Sequence, residues 1–166
     1  MNRTTPLKRT PFASKPKKAT PDRPARITHQ RGQSSIWRSD AYLALVRSLP
    51  CSACGIYGHT QAAHSNQIRM GKSRGMKASD ASAMPLCGPR NFNPGCHANH
   101  DQGGKLSKAQ WKSFEDQHIC KTIYDLIDDG RLIAVNKLPA LDCGLDEMAA
   151  HLVGMIESGE LKINQT

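Results

Sequence analysis

Four cysteines in the middle of the chain have types and spacings that suit a metal ion. Cys51 and Cys54 form a C-x2-C pair, Cys87 follows after 32 intervening residues, and Cys96 follows Cys87 after eight more. Zinc prefers four ligands in a tetrahedron, and closed structural sites are commonly built from thiolates alone. The four cysteines therefore predict one structural Zn²⁺, with the residues between Cys87 and Cys96 looped out.

Histidines and aspartates near these cysteines suit a second ion with a catalytic role. His97 is followed by His100 at i+3 and by Asp101 at i+4, so either pair could hold one divalent cation on a short helix. His64 could face that ion as a general base, because imidazole titrates near neutral pH. Ligands of this type accept Mg²⁺, Mn²⁺, Ni²⁺ or Zn²⁺. This pattern predicts metal-dependent phosphodiester hydrolysis, which needs one ion and one base.

The net charge of +9 is concentrated at the beginning of the chain. Residues 1–33 carry nine Lys or Arg, one acidic residue and five prolines, whereas the other 133 residues carry a net charge of about +1. So few apolar groups cannot offset the entropy of ordering, and we expect this segment to be a disordered arm that binds a polyanion. A solubilising tail is the alternative. The predicted nucleic-acid contacts in the arm are Lys8, Arg9, Lys17 and Lys18.

A second basic stretch lies between His64 and Cys87. Residues 71–80 form a glycine-containing loop, and its bases are expected to bind the nucleic-acid backbone near the site, unless they are simply solvated surface charge. The predicted contacts here are Arg69, Lys72, Arg74 and Lys77.

The first ordered element is predicted to be a helix that begins at Ser34 or Ser35. Its apolar positions repeat every four residues, and Pro50 ends it. Residues 51–70 lack a helical period, and their glycines predict a tight knuckle and a hairpin. Pro85 allows at most an edge or terminal strand before Cys87.

Three further helices are predicted in the second half of the chain. Ser107 and Gln110 make a capping box at the start of the first, and Gly130 lies just past the end of the second. The third is amphipathic and runs from Leu145 to near Gly159. We expect these stripes to be core packing, and Cys120 and Cys143 to be core or incidental residues. The third helix could also dock a partner protein.

The composition points to a small core in a reducing compartment. Apolar residues make up 38% and aromatic residues 5% of the chain, so metal ligation is expected to help hold the fold. No run approaches 18 apolar residues and no secretory signal is visible, so we expect a cytoplasmic protein with free thiols and no membrane contact.

Taken together, these motifs resemble the HNH, or ββα-metal, endonuclease superfamily. The resemblance covers about residues 50–104 and rests on Ala63-His64, Gly75–Asp80, Pro85-Leu86-Cys87, Cys96-His97 and His100. It is closest to small zinc-containing members from bacteriophages and prophages, including recombination-associated nucleases, which often carry a basic, proline-rich tail.

The resemblance implies a hairpin followed by a helix that binds one catalytic ion, with His64 as the general base and His97 as a ligand. The chain departs from the common pattern at Ala63, where many members have a ligand, and in the spacing of His97 and His100. Either His100 or Asp101 is then the second ligand. Asp80 replaces the usual asparagine and either polarises His64 or binds the ion.

The expected fold is α+β, with a zinc-stapled ββα-metal core, flanking helices and a disordered basic N-terminal tail. The predicted segments are the tail over 1–33, a nuclease domain over 34–130 and an extension with an amphipathic helix over 131–166. The expected function is a metal-dependent DNA endonuclease, phage-encoded and linked to recombination or DNA processing. The alternative is a non-catalytic, zinc-stabilised DNA-binding accessory protein. The expected partners are DNA and a recombination or replication protein, while strandedness and oligomeric state stay open.

Overall fold

Four α-helices, two short 3-10 helices (Ile68–Met70 and Asp80–Ser82) and two small antiparallel sheets make up the part of the chain that the computed structural model describes. The described residues are 36–102, 106–135, 138 and 144–164. The predicted arm and its basic residues lie outside them, as does Cys143. Within the described ranges, no helix is both long enough and apolar enough to cross a membrane. The architecture is therefore mixed α and β.

Helix α1 spans Asp40–Ser48 and begins later than its apolar stripe predicts. Its N-cap is Ser39, whose hydroxyl accepts a hydrogen bond from the Tyr42 amide, so the prediction of a cap at Ser34 or Ser35 is wrong. The physical reason is a long-range contact. The Ser39 amide donates to Asp80 at 2.9 Å, which holds this residue extended at the helix entrance.

Strands β1 (Thr60–Ala63) and β2 (Met84–Cys87) form the first sheet, with Ala62 opposite Pro85. The hairpin predicted within residues 51–70 does not form, because the partner of β1 lies beyond the basic loop. This sheet has two strands, so each of them is an edge strand. Pro85, which lacks a backbone N–H, therefore lies on an edge strand, as predicted.

Helix α2 (Gly95–Gln102) follows β2, and helix α3 spans Lys108–Asp128. The capping box of Ser107 and Gln110 is confirmed, with both reciprocal hydrogen bonds present. The two helices predicted after it are one continuous helix, because no glycine or proline interrupts the sequence before Gly130. That glycine adopts a φ of +68°, which side chains disfavour, just past the helix end.

Strands β3 (Leu132–Ala134) and β4 (Leu161–Ile163) pair in a second sheet, and helix α4 (Leu145–Ser158) lies between them in the sequence. The amphipathic helix predicted here is confirmed, but the sheet was not predicted. Residues on both sides of the expected boundary at residue 130 share one core. Its members include Tyr42, Val46, Ile119, Ile123, Leu126, Leu152 and Ile156. A second, smaller core of Cys51, Ala63, Met84, Leu86 and Cys87 lies against the first sheet.

Candidate metal centre and histidine site

The four predicted zinc ligands are brought together. The Sγ atoms of Cys51, Cys54, Cys87 and Cys96 all lie within 4.8 Å of one another, and those of Cys54 and Cys87 are 3.7 Å apart. Zn–S bonds of about 2.3 Å in a tetrahedron place sulfur atoms about 3.8 Å apart. The cluster therefore has the size and donor set to hold a structural metal ion such as zinc.

Local backbone geometry places these thiols. After α1, the Cys51 amide donates to the Ile56 carbonyl at 2.9 Å, which closes the first knuckle. The Ser52 amide donates to the Pro85 carbonyl at 2.8 Å and ties this knuckle to β2. The second pair depends on Gly95, at a φ of +83°, where a Cβ would lie 2.3 Å from the Gly88 carbonyl oxygen. Only glycine fits there, immediately before Cys96.

The thiols of the cluster differ in how readily they ionise. Burial acts to raise the pKa of Cys51, but neighbouring backbone amides outweigh it and lower that pKa to about 7. Burial and the adjacent thiols raise the pKa of Cys96 well above its usual value. Cys51 therefore ionises more readily than Cys96, whose thiolate would be buried and would lie against the other thiols. A metal ion would stabilise the thiolates and release protons as it binds.

His64 lies immediately after β1 and is hydrogen-bonded to a buried carboxylate. Its Nε2 is 2.8 Å from Asp80 Oδ1, and Asp80 also accepts from Arg38 at 2.7 Å and from the Ser39 amide at 2.9 Å. Burial acts to raise the pKa of Asp80, but hydrogen bonds from His64, Ser39 and Arg38 hold it below its usual value. An ionised carboxylate only accepts, so His64 carries its proton on Nε2 and keeps the Nδ1 lone pair free.

This geometry favours one of the two roles left open for Asp80. Both carboxylate oxygens already accept hydrogen bonds, Oδ1 from Arg38 and His64 and Oδ2 from Ser39. A carboxylate engaged in this way is suited to orienting His64 and stabilising its protonated form. It is less suited to binding a cation, which would have to displace Arg38.

His97 lies in the first turn of α2, with its ring held by Gln61 from β1. Its Nδ1 is 2.7 Å from Gln61 Oε1, and its Nε2 is 3.5 Å from Asp101 Oδ2. The amide oxygen accepts from Nδ1–H, which leaves the lone pair of Nε2 beside the aspartate. An imidazole oriented by a neighbouring acceptor is the usual arrangement of a metal-binding histidine. His97 and Asp101 therefore offer two suitable donors to one divalent cation.

The surroundings of His97 lower the pKa of its ring. Burial lowers this pKa most, Asp101 opposes the shift, and the charges of His100, His64 and Lys77 lower it further. The ring is thus kept neutral, as a metal ligand must be. His64 follows β1 directly and His97 is hydrogen-bonded to Gln61 of β1, so both histidines are attached to the same short strand.

His100 lies on the interior side of α2, and its Nδ1 is 3.3 Å from Asp101 Oδ1. Its ring is buried, with Nε2 2.8 Å from Glu115 Oε1 and the ring of Trp111 edge-on at 5.4 Å. One ring nitrogen of His100, Nε2, is therefore already bound to Glu115, and only Nδ1 faces Asp101. Successive residues turn by about 100° around a helix, so position i+4 lies about 40° from His97 and position i+3 about 60° on the other side. Of the two alternatives, the geometry favours Asp101.

The basic residues predicted to bind nucleic acid divide into two groups. Arg69 is ion-paired with the buried carboxylate of Asp116 and also donates to Gln67 at 2.8 Å. Because its guanidinium is already engaged within the fold, Arg69 is not proposed as a phosphate contact. The remaining three, Lys72, Arg74 and Lys77, make no ion pair with any acidic residue among the described residues.

Three residues that position this site were not singled out from the sequence: Arg38, Gln61 and Glu115. Arg38 and Gln61 carry no local signal, because each acts through a partner distant in sequence. Glu115 had one weak signal. It is a charged residue inside a helical segment rich in apolar positions, and the structure buries it to 3% exposure.

Comparison with known proteins adds no relative to this picture. No protein-family model, curated protein or solved structure matches the chain significantly. Functional inference therefore rests on the geometry of the described residues.

Proposed function

We propose that the chain is a metal-dependent endonuclease that hydrolyses phosphodiester bonds in DNA. The single observation that carries this proposal is the hydrogen bond between His64 and Asp80, which orients a histidine as a base at the end of the strand that also holds His97. Arrangements of this kind are typical of general-base sites.

In the proposed reaction, His64 accepts the proton of the attacking water at Nδ1. Asp80 stabilises the resulting imidazolium, and Arg38 keeps Asp80 ionised. His97 and Asp101 would hold a divalent cation, which, when bound, stabilises the charge that develops on the phosphate and on the leaving oxygen. This general base and the cation together supply the two requirements of hydrolysis.

The order of elements supports a finer fold assignment as part of the proposal. Two antiparallel strands, β1 and β2, are followed by α2, with the base after β1 and the metal-binding residues on the helix. This is the order expected of a zinc-stapled ββα-metal core of the HNH type. Phage origin, a recombination partner and a cytoplasmic location stay predictions.

The alternative is a zinc-stabilised DNA-binding protein without catalysis. The cysteine cluster favours it, because that cluster forms independently of the histidines. The two functions are separated by incubating zinc-loaded protein with supercoiled plasmid and with single-stranded DNA in Mg²⁺, Mn²⁺, Ni²⁺ or Zn²⁺. Cutting that depends on the added ion supports the nuclease, whereas binding without cutting under all these conditions supports the accessory protein.

The basic loop makes a prediction that distinguishes binding from folding. Replacing Lys72, Arg74 and Lys77 with alanine should weaken DNA binding and reduce the slope of log affinity against log salt by up to about 2.7, or about 0.9 per lost phosphate contact. Arg69→Ala should leave that slope unchanged. It should instead destabilise the fold by about 1–3 kcal/mol, because Asp116 loses a partner in the interior. Binding titrations at several salt concentrations and thermal unfolding measure both effects, and a triple variant with the wild-type slope would contradict the loop's role.

The N-terminal arm makes a separate prediction. Deleting residues 1–33 removes nine bases, so the salt slope on duplex DNA should flatten by about 0.9 for each phosphate that the arm contacts. Fluorescence anisotropy of a labelled duplex between low and physiological salt gives both slopes. An unchanged slope would mean that the arm does not bind DNA.

A further inference from the structure

We propose that Glu115 is the positioning residue that holds the general base and the metal-binding helix in register. This inference rests on the proposed function and extends it to a residue on α3, outside the segment that carries the site. The carboxylate of Glu115 contacts both halves of the site at once: the segment that follows His64 and the helix that carries His97.

The first half is held through the two residues after His64. The Ser65 hydroxyl donates to Glu115 Oε2 at 2.6 Å, and the Asn66 amide donates to Oε1 and Oε2 at 3.0 and 3.2 Å. The Ser65 side chain is fully buried. The backbone that emerges from β1 is therefore fixed immediately beyond His64, while Asp80 fixes the ring itself.

The second half is held through His100. Its Nε2 lies 2.8 Å from Glu115 Oε1, and its ring packs edge-on against Trp111 and stacks at 6.3 Å against Phe114. These contacts fix the rotation of α2 about its axis. That rotation determines where His97 and Asp101 point, because they occupy the same short helix as His100.

The chemistry of the carboxylate suits this double role. Glu115 is 3% exposed, and its two oxygens accept from a hydroxyl, a backbone amide and an imidazole on three different residues. A glutamine has nearly the same shape but only one acceptor oxygen, and its NH₂ group would face one of these donors. Glu115→Gln therefore removes part of the connection without leaving a cavity.

Asp116 provides a matched control on the next position of the same helix. It is a carboxylate buried to a similar extent, with 2% exposure, but it binds Gln67 and Arg69 instead of residues adjacent to His64 or His97. Asp116→Asn removes one buried negative charge, as Glu115→Gln does. A purely structural role for Glu115 predicts equal effects of the two changes on activity.

The experiment compares the two variants in metal-dependent plasmid cleavage, in zinc content and in thermal stability. Glu115→Gln should lower kcat by about 10- to 100-fold, the effect of misplacing catalytic groups by about 1 Å, and should raise the Mn²⁺ concentration for half-maximal activity. Asp116→Asn should keep the wild-type kcat while losing similar stability, and both should retain one zinc per chain. Equal kcat values in the two variants would overturn the proposal.

Two further variants divide the effect between the halves and serve if Glu115→Gln does not fold. Ser65→Ala should lower kcat without changing the Mn²⁺ requirement, whereas His100→Gln should mainly raise the Mn²⁺ requirement. If each left both quantities unchanged, Glu115 would not act through these contacts. Histidine-ring NMR signals provide a readout that does not need catalysis. Those of His64 and His97 should shift in Glu115→Gln and not in Asp116→Asn, so that the positioning role is decided even if the chain cuts no DNA.

Discussion

His64→Ala should lower the rate of DNA cleavage by about 10²- to 10⁴-fold, the usual contribution of a general base. The physical reason is the loss of the Nδ1 lone pair that the hydrogen bond to Asp80 leaves available. Asp80 stays bound by Arg38 and the Ser39 amide, so the fold around the site should persist. Single-turnover nicking of supercoiled plasmid at saturating metal ion measures the effect on the chemical step.

Two other substitutions make this result interpretable. His59→Ala replaces an exposed histidine whose backbone carbonyl accepts a hydrogen bond from the Gly88 amide, a contact that alanine retains. This variant should therefore cleave at the wild-type rate. The cleavage rate of Asp80→Asn should lie between those of His64→Ala and His59→Ala, because an amide can still accept a hydrogen bond but does not stabilise the imidazolium. A His64→Ala variant that cuts as fast as wild type would contradict the assignment of the base.

Removal of the structural metal ion should disrupt the site more completely than any single substitution in it. Zinc bound by thiolates contributes about 10–16 kcal/mol in small zinc domains, which is comparable with the whole stability of about 5–15 kcal/mol of a typical domain. The core that the cysteines join is small, with Ala63, Met84 and Leu86 as its other buried members. Chelation, or Cys87→Ser, should therefore abolish cleavage and lower the melting temperature by more than about 10 °C.

The larger core should respond differently. Helices α1, α3 and α4 pack around it, so part of the helical circular dichroism should survive loss of zinc. Cys120→Ser is the matched control, since Cys120 is a buried thiol in that larger core and outside the cluster. It should retain zinc and activity. Unchanged melting and cleavage after verified removal of zinc would contradict the structural role of the four cysteines.

Sequence spacing predicted those features that depend on neighbouring residues. The capping box at Ser107 needs only residues three apart, and the last helix is marked by its own period and by Gly159. The four cysteines could be grouped because zinc chemistry, and no particular fold, dictates their number. For the same reason, the sequence predicted which cysteines form the cluster but not the backbone geometry that brings them together.

Contacts between distant segments decided what the sequence could not predict. Asp80 stops α1 from beginning at its apolar stripe, and Asp116 neutralises an arginine expected to bind phosphate. Glu115, fifteen residues after His100, turns that histidine into the interior, although its spacing from His97 suits a metal ligand. Each contact links segments 15 or more residues apart, beyond the reach of a local pattern.

The most direct test of the account is a titration of divalent cation into protein that already holds one zinc per chain, with plasmid nicking as the readout. Two metal sites of different function predict that cutting is absent without added ion, rises with Mg²⁺ or Mn²⁺, and leaves the zinc content unchanged. Protein that binds DNA and keeps its zinc, but does not cut duplex or single-stranded DNA with any of the added ions, would contradict the catalytic interpretation of His64, Asp80 and His97.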